Sequence, residues 1–134
     1  MPHLVVLYTP NLEADCDLSA LCRSLADAML AVRDDDGRQV FPTGGTRVLA
    51  YPAAHFAVAD GRRDYAFVYL NLRMGRGRTA PTQQRAGDAL MAAARAHLDP
   101  VIARRPLGVT VNVDESPSQV YDAKHGSIHP LFGA

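Results

Sequence analysis

The chain reads as an α/β (α+β) domain, a duplicated β-α-β unit whose four strands form one mixed sheet with two helices on one face. Three observations predict this. Two stretches of helical length carry apolar residues at i, i+3, i+4 and i+7 spacing; each lies between two short strand-like runs; and the order strand, helix, strand recurs after about 60 residues. A β-α-β unit pairs its strands in parallel through a right-handed crossover. Two helices cover only one face of the sheet, so oligomerisation is the economical cover for the other. The expected arrangement is a single domain over residues 1–134, with halves at about 1–58 and 59–115 and a loosely structured tail from 116 to 134. Such a tail could fold over a neighbouring subunit.

Each element has its own warrant. The run Leu4-Val5-Val6-Leu7-Tyr8 is strand-like and ends at the turn signal Thr9-Pro10-Asn11. From Asp17 to Val32, residues Leu18, Leu21, Cys22, Leu25, Met29 and Val32 make one apolar helix face, with Asp15 or Asp17 available as cap. Arg33 to Gly37, with three consecutive acids, reads as a solvated helix end, and three adjacent carboxylates without further ligands do not specify a metal site. Phe41 to Gly45 is a loop, Thr46 to Tyr51 the second strand, and Pro52 ends that strand or places it at an edge.

The strongest strand is Asp64 to Arg73, with Tyr65, Phe67, Tyr69 and Asn71 on one face and Ala66, Val68, Leu70 and Leu72 on the other. After Gly75-Arg76-Gly77-Arg78, Thr79 suits the N-cap and Pro81 the first turn of a long helix. Its inner stripe is Ala86, Leu90, Ala93, Ala94, His97 and Val101, and Pro100 predicts a kink, or an end followed by another turn near Arg104. Leu107 to Val113 alternates as a half-buried strand.

Composition narrows the function classes. Formal net charge is zero and 48% of residues are hydrophobic, which fits a folded domain and supplies no broad basic footprint for nucleic acid or an anionic membrane. No apolar run reaches membrane-spanning length and no signal-type amino terminus precedes the first strand, so a cytoplasmic location is expected. Cys16 and Cys22 lack metal-ligand spacing and read as reduced packing residues.

One position carries chemistry of its own. Removal of Met1 would make Pro2 the amino terminus, a secondary amine carried on a buried strand. Reference α-amino groups titrate at roughly 7.7–8.0, and burial beside cations favours the neutral base. An amide nitrogen behind a retained Met1 has no such basicity. His3, next on the strand, points to the opposite face and suits a structural or interface role.

The block Ala59-Asp60-Gly61, Asp64-Tyr65-Ala66-Phe67-Val68, through Leu72 to Gly75, Gly77 and Arg78, together with Met1-Pro2-His3 and the Phe41-Pro42 to Arg47 segment, resembles the 5-carboxymethyl-2-hydroxymuconate isomerase family of the tautomerase superfamily. The resemblance runs to about Phe132. It implies a tautomerase-like duplicated fold, a homotrimer, no cofactor, no metal, and an isomerisation in the bacterial catabolism of homoprotocatechuate from 4-hydroxyphenylacetate. By the same resemblance Pro2 is the general base and Arg47 and Arg78 are catalytic and substrate-binding. Arginine suits the second role because its planar fork grips a carboxylate with two bonds and its charge stabilises a dienolate. Arg76 and Tyr69 are further substrate-binding candidates, and Arg73 crowds the same turn as Arg76. The start of the second helix, beside Arg78, offers N–H groups to an anion.

The partners implied are a small carboxylate substrate and copies of the same chain, with neither nucleic acid nor membrane. Leu7-Tyr8 stands where relatives often carry an acidic residue, which bears on substrate preference. Two other readings remain. A blocked Pro2 would leave a non-catalytic trimeric ligand-binding or scaffold protein. Alternatively, Glu115 at the end of the last strand could activate water, as in hydrolytic dehalogenase-like relatives.

Overall fold

A computed structural model of the chain describes residues 2–133. Its elements are β1 (His3–Tyr8), α1 (Leu18–Ala31), β2 (Arg47–Pro52), β3 (Ala66–Met74), α2 (Ala80–Ile102) and β4 (Leu107–Glu115). Both β-α-β halves are present. β1 pairs with β2 and β3 with β4 in parallel, while β1 and β3 join the halves antiparallel, giving the sheet order β2-β1-β3-β4.

The period of two along the strands decides which face is covered. Leu4 and Val6 of β1, with Ala66, Val68, Leu70, Leu72 and Met74 of β3, are buried beneath the helices. α1 contributes Leu21, Leu25 and Met29; α2 contributes Thr82, Ala86, Leu90, Ala94, Leu98 and Val101. Small alanines bring α2 close to the sheet. Asp17 caps α1 by accepting from the Ala20 N–H at 3.1 Å, and Thr79 caps α2 by accepting from the Thr82 N–H at 3.3 Å.

Three details of α2 refine the sequence-based reading. Leu98 joins the inner stripe, whereas His97 turns toward α1 and lies with Nε2 2.7 Å from Ser24 Oγ. The helix also continues past Pro100 to Ile102. Pro100 and Ala96 are both on the exposed side, where water can satisfy the Ala96 carbonyl that proline leaves without a donor. Finally, the helix start has an acid of the chain beside it. Asp35 accepts from Thr79 Oγ1 at 2.8 Å and from Arg85 Nη2 at 2.6 Å, so one acid of the Asp34-Asp35-Asp36 turn already adds negative charge near the N-terminal end of α2. Asp34 serves the turn itself, accepting from the Asp36 and Arg38 N–H groups.

The second sheet face has no helix over it. His3, Arg47 and Arg73 stand at one end, and Leu7, Leu49 and Tyr51, each nearly half exposed, lie toward the other. Beyond β4 the Ser116 N–H donates to the Met74 carbonyl at 2.9 Å. The chain then runs exposed to a short 3-10 turn, His129–Phe132, packed on the loop that holds Gly44. Among the described residues no helix is long and apolar enough to cross a membrane.

Candidate active site

Strand register assembles the site. His3 of β1 lies opposite Arg47 on β2 and opposite Arg73 on β3, so one row across the uncovered face reads Arg47, His3, Arg73, Asp114. Neighbouring strands are spaced by about 4.8 Å, which puts the Arg47 and Arg73 backbones roughly 10 Å apart. Among the described residues neither guanidinium has a hydrogen-bonding or ion-pair partner. Asp114, at the end of the row, instead accepts from Asn71 Nδ2 at 2.7 Å.

This row forms one wall of an open cavity of about 1120 Å³. Gly44, Thr46 and Gly75 form its edge, and the tail forms the opposite wall with Lys124, His125 and His129. Lys124 Nζ is paired with Asp122 at 2.6 Å. The cavity therefore presents unpaired cations and imidazoles, a donor set suited to a multiply charged carboxylate.

Burial, and next the Arg47 guanidinium, hold His3 below its ordinary value of 6.5. The imidazole is neutral at pH 7. A depressed folded-state value means that its contribution to stability is present above pH 6.5 and is lost as pH falls through the folded value. An NMR titration of the His3 ring should give a midpoint below 6.5, and Arg47→Ala should raise that midpoint by removing a neighbouring positive charge. A midpoint unmoved by the substitution would separate the two side chains.

The other expected site residues occupy distinct places. Pro2 is buried and immediately precedes His3, but is not among the residues lining the cavity. Arg78 lies behind the edge: Nη1 donates to the Gly75 carbonyl at 3.1 Å, Nη2 to the Val40 carbonyl at 3.2 Å, and the guanidinium stands 5.8 Å from the centroid of the buried Phe41 ring. Arg76 donates to the Pro117 carbonyl at 2.7 Å, anchoring the start of the tail. Tyr69 is four residues along β3 from Arg73, roughly 13 Å at strand rise, and its hydroxyl accepts from Asn112 Nδ2 at 3.0 Å.

Glu115 belongs to the helix-facing side of β4, accepts from Gln83 Nε2 at 3.0 Å, and borders a different cavity. The Leu7-Tyr8 departure is equally remote. Tyr8 lies at the far end of β1 and donates to Glu13 at 2.6 Å, which is the main cause that pushes its phenol up to about 12. Cys16 and Cys22 are free thiols, raised by burial first, and so remain protonated near neutrality. Among the described residues no group of three or more His, Cys, Asp or Glu side chains is arranged to hold a metal ion.

The family model for 5-carboxymethyl-2-hydroxymuconate isomerase matches residues 2–132. The chain belongs to the 5-carboxymethyl-2-hydroxymuconate isomerase family. A solved 5-carboxymethyl-2-hydroxymuconate delta-isomerase is 57% identical, with a TM-score of 0.94 over 100% of this chain and 94% of its own. A 5-carboxymethyl-2-hydroxymuconate isomerase from Deinococcus radiodurans R1 is 33% identical, with a TM-score of 0.84 over 99% and 95% of the two chains. The 5-carboxymethyl-2-hydroxymuconate Delta-isomerase of Escherichia coli is 27% identical over 98% of this chain and 99% of its own. The fold extends beyond the isomerase family: a fused 4-OT wild type symmetric trimer shares it at 21% identity, with a TM-score of 0.56 over 99% and 98% of the chains.

Proposed function

We propose that this chain is a cofactor-independent isomerase that moves a proton and a double bond within 5-carboxymethyl-2-hydroxymuconate. The observation that carries the reading is the pair of unpartnered guanidiniums, Arg47 and Arg73, astride His3 at the end of the sheet where Pro2 leads into β1. The free Pro2 amine accepts a proton from one position of the bound acid. The resulting dienolate spreads its charge toward the carboxylates that Arg47 and Arg73 hold. The same nitrogen then returns the proton to another carbon, so no atom is gained or lost and no redox partner is needed.

Arg78 supports this site from behind by holding the Gly75 turn and stacking on Phe41. The remaining N–H groups of its guanidinium add positive field there. Arg76 acts through Pro117, as a positioning residue for the tail. Tyr69 belongs with Leu7 and Tyr51 to one row of the uncovered sheet face. Burial of that row against copies of the same chain favours a homotrimer. A cytoplasmic role in homoprotocatechuate breakdown fits the substrate.

The test is an ultraviolet assay of the protein processed to begin at Pro2, run on 5-carboxymethyl-2-hydroxymuconate beside 2-hydroxymuconates without the carboxymethyl arm. Turnover should be faster on the former at limiting substrate. Activity on the simpler diacid alone would reassign the chain to generic tautomerase chemistry, and binding without turnover of either would make it a ligand-binding protein.

A further inference from the structure

The tail beyond β4 is held to the domain at separate points although most of its side chains are exposed. The Ser116 N–H bonds to Met74, Arg76 bonds to Pro117, and the turn His129–Phe132 rests on Gly44. The last contact leaves little room for a side chain. A Cβ built on Gly44 would come within 3.0 Å of His129 Cα and 3.1 Å of its Nδ1, so a side chain there would push the tail back from this loop. That approach turns the tail into a wall of the cavity, facing the Arg47, His3, Arg73 row.

Counting charges assigns the wall a task. A 2-hydroxymuconate has two carboxylates, and the carboxymethyl group adds a third. The sheet wall offers Arg47 and Arg73, while His3 beside them is held neutral. On the tail wall Lys124 is already matched by Asp122, whereas His125 and His129 have no side-chain partner among the described residues. An imidazole N–H donates to a carboxylate in either protonation state.

We propose that the tail is the specificity element of this site, with His125 and His129 receiving the carboxymethyl carboxylate that distinguishes the tricarboxylate from simpler 2-hydroxymuconates. This rests on the isomerase reading and concerns which acid the enzyme prefers. Gly44 sets the distance between the two walls, and Arg76 sets the direction in which the tail leaves β4.

The experiment measures kcat and KM of the full chain, processed to Pro2, on 5-carboxymethyl-2-hydroxymuconate and on 2-hydroxymuconate, for the wild type and for His125→Ala, His129→Ala and Gly44→Ala. Loss of a charge-assisted hydrogen bond to one carboxylate should lower the tricarboxylate-to-dicarboxylate ratio of kcat/KM by roughly tenfold in one or both histidine variants. Most of that change should lie in KM for the tricarboxylate. Gly44→Ala should shift the ratio the same way by moving the turn that carries His129, and circular dichroism with the diacid rate shows that the variant is folded. An unchanged ratio in all three variants overturns the proposal, and so does an equal loss on both substrates. A wild type inactive on both acids overturns the isomerase reading itself, a result distinct from either.

Discussion

Retaining Met1 on the purified protein should lower kcat for 5-carboxymethyl-2-hydroxymuconate by about 10² to 10⁴ relative to the form that begins at Pro2, the usual contribution of a positioned general base. The reason is electronic. In the processed form the proline nitrogen has a lone pair available to a proton, whereas behind Met1 that pair is delocalised into a planar amide. Neither cavity-lining arginine changes between the two forms, so substrate affinity should change far less than turnover. Intact mass spectrometry identifies the two species and the ultraviolet assay compares them. The acidic limb of the pH profile of kcat/KM, which reports ionisation of the base in the free enzyme, should be absent from the Met1-retaining form. Pro2→Ala, processed to its new terminus, keeps a primary amine without the ring and should fall between these limits. Equal turnover by the Met1-retaining and processed proteins would remove Pro2 from the mechanism.

Much of the fold is legible because short-range rules act alone on it. Periods of two and 3.6 residues identify the buried faces of β3 and α1, and the Asp17 and Thr79 side chains cap the helices they precede. Pro100 does not stop the helix at once, since the exposed Ala96 can lose its helical donor to water, but the end comes within two residues, at Ile102, with the turn at Ala103-Arg104. The acid beside the helix start is hidden for another reason. Asp35 reaches Thr79 and Arg85 across more than 40 residues of chain, and local pattern says nothing of such a contact.

The site shows the same division. Pro2 and Arg47 are visible as residue types at suggestive positions, but Arg73 gains its significance only from the antiparallel register that sets it opposite His3. One residue of slippage would send it to the helix-facing side. Arg73 and Arg76 look equivalent in sequence, crowding one turn. Pairing then gives the first to the cavity and the second to the Pro117 carbonyl. The tail wall was legible only as polar chain, since its link to Gly44 depends on two segments more than 80 positions apart.

Arg47→Ala should reduce kcat/KM by about 10² to 10³, the cost of removing one preorganised group that stabilises developing negative charge. Arg73 is the more exposed of the pair, so Arg73→Ala should cost less, because water screens its field. If both hold the same substrate, the double variant should lose less than the product of the single effects, since the first truncation already releases the substrate from its fixed pose. Arg47→Lys keeps the charge and gives up the planar fork, and should recover only part of the loss. Arg78→Ala should behave differently. It removes hydrogen bonds to Gly75 and Val40 and the stack on Phe41, so it should lower unfolding free energy by about 1–3 kcal/mol, whereas Arg47→Ala leaves the thermal midpoint close to wild type. Denaturant unfolding together with steady-state kinetics on all five variants makes the comparison. Full activity in Arg47→Ala would show that the row across the uncovered face does not hold the substrate, whatever Pro2 does.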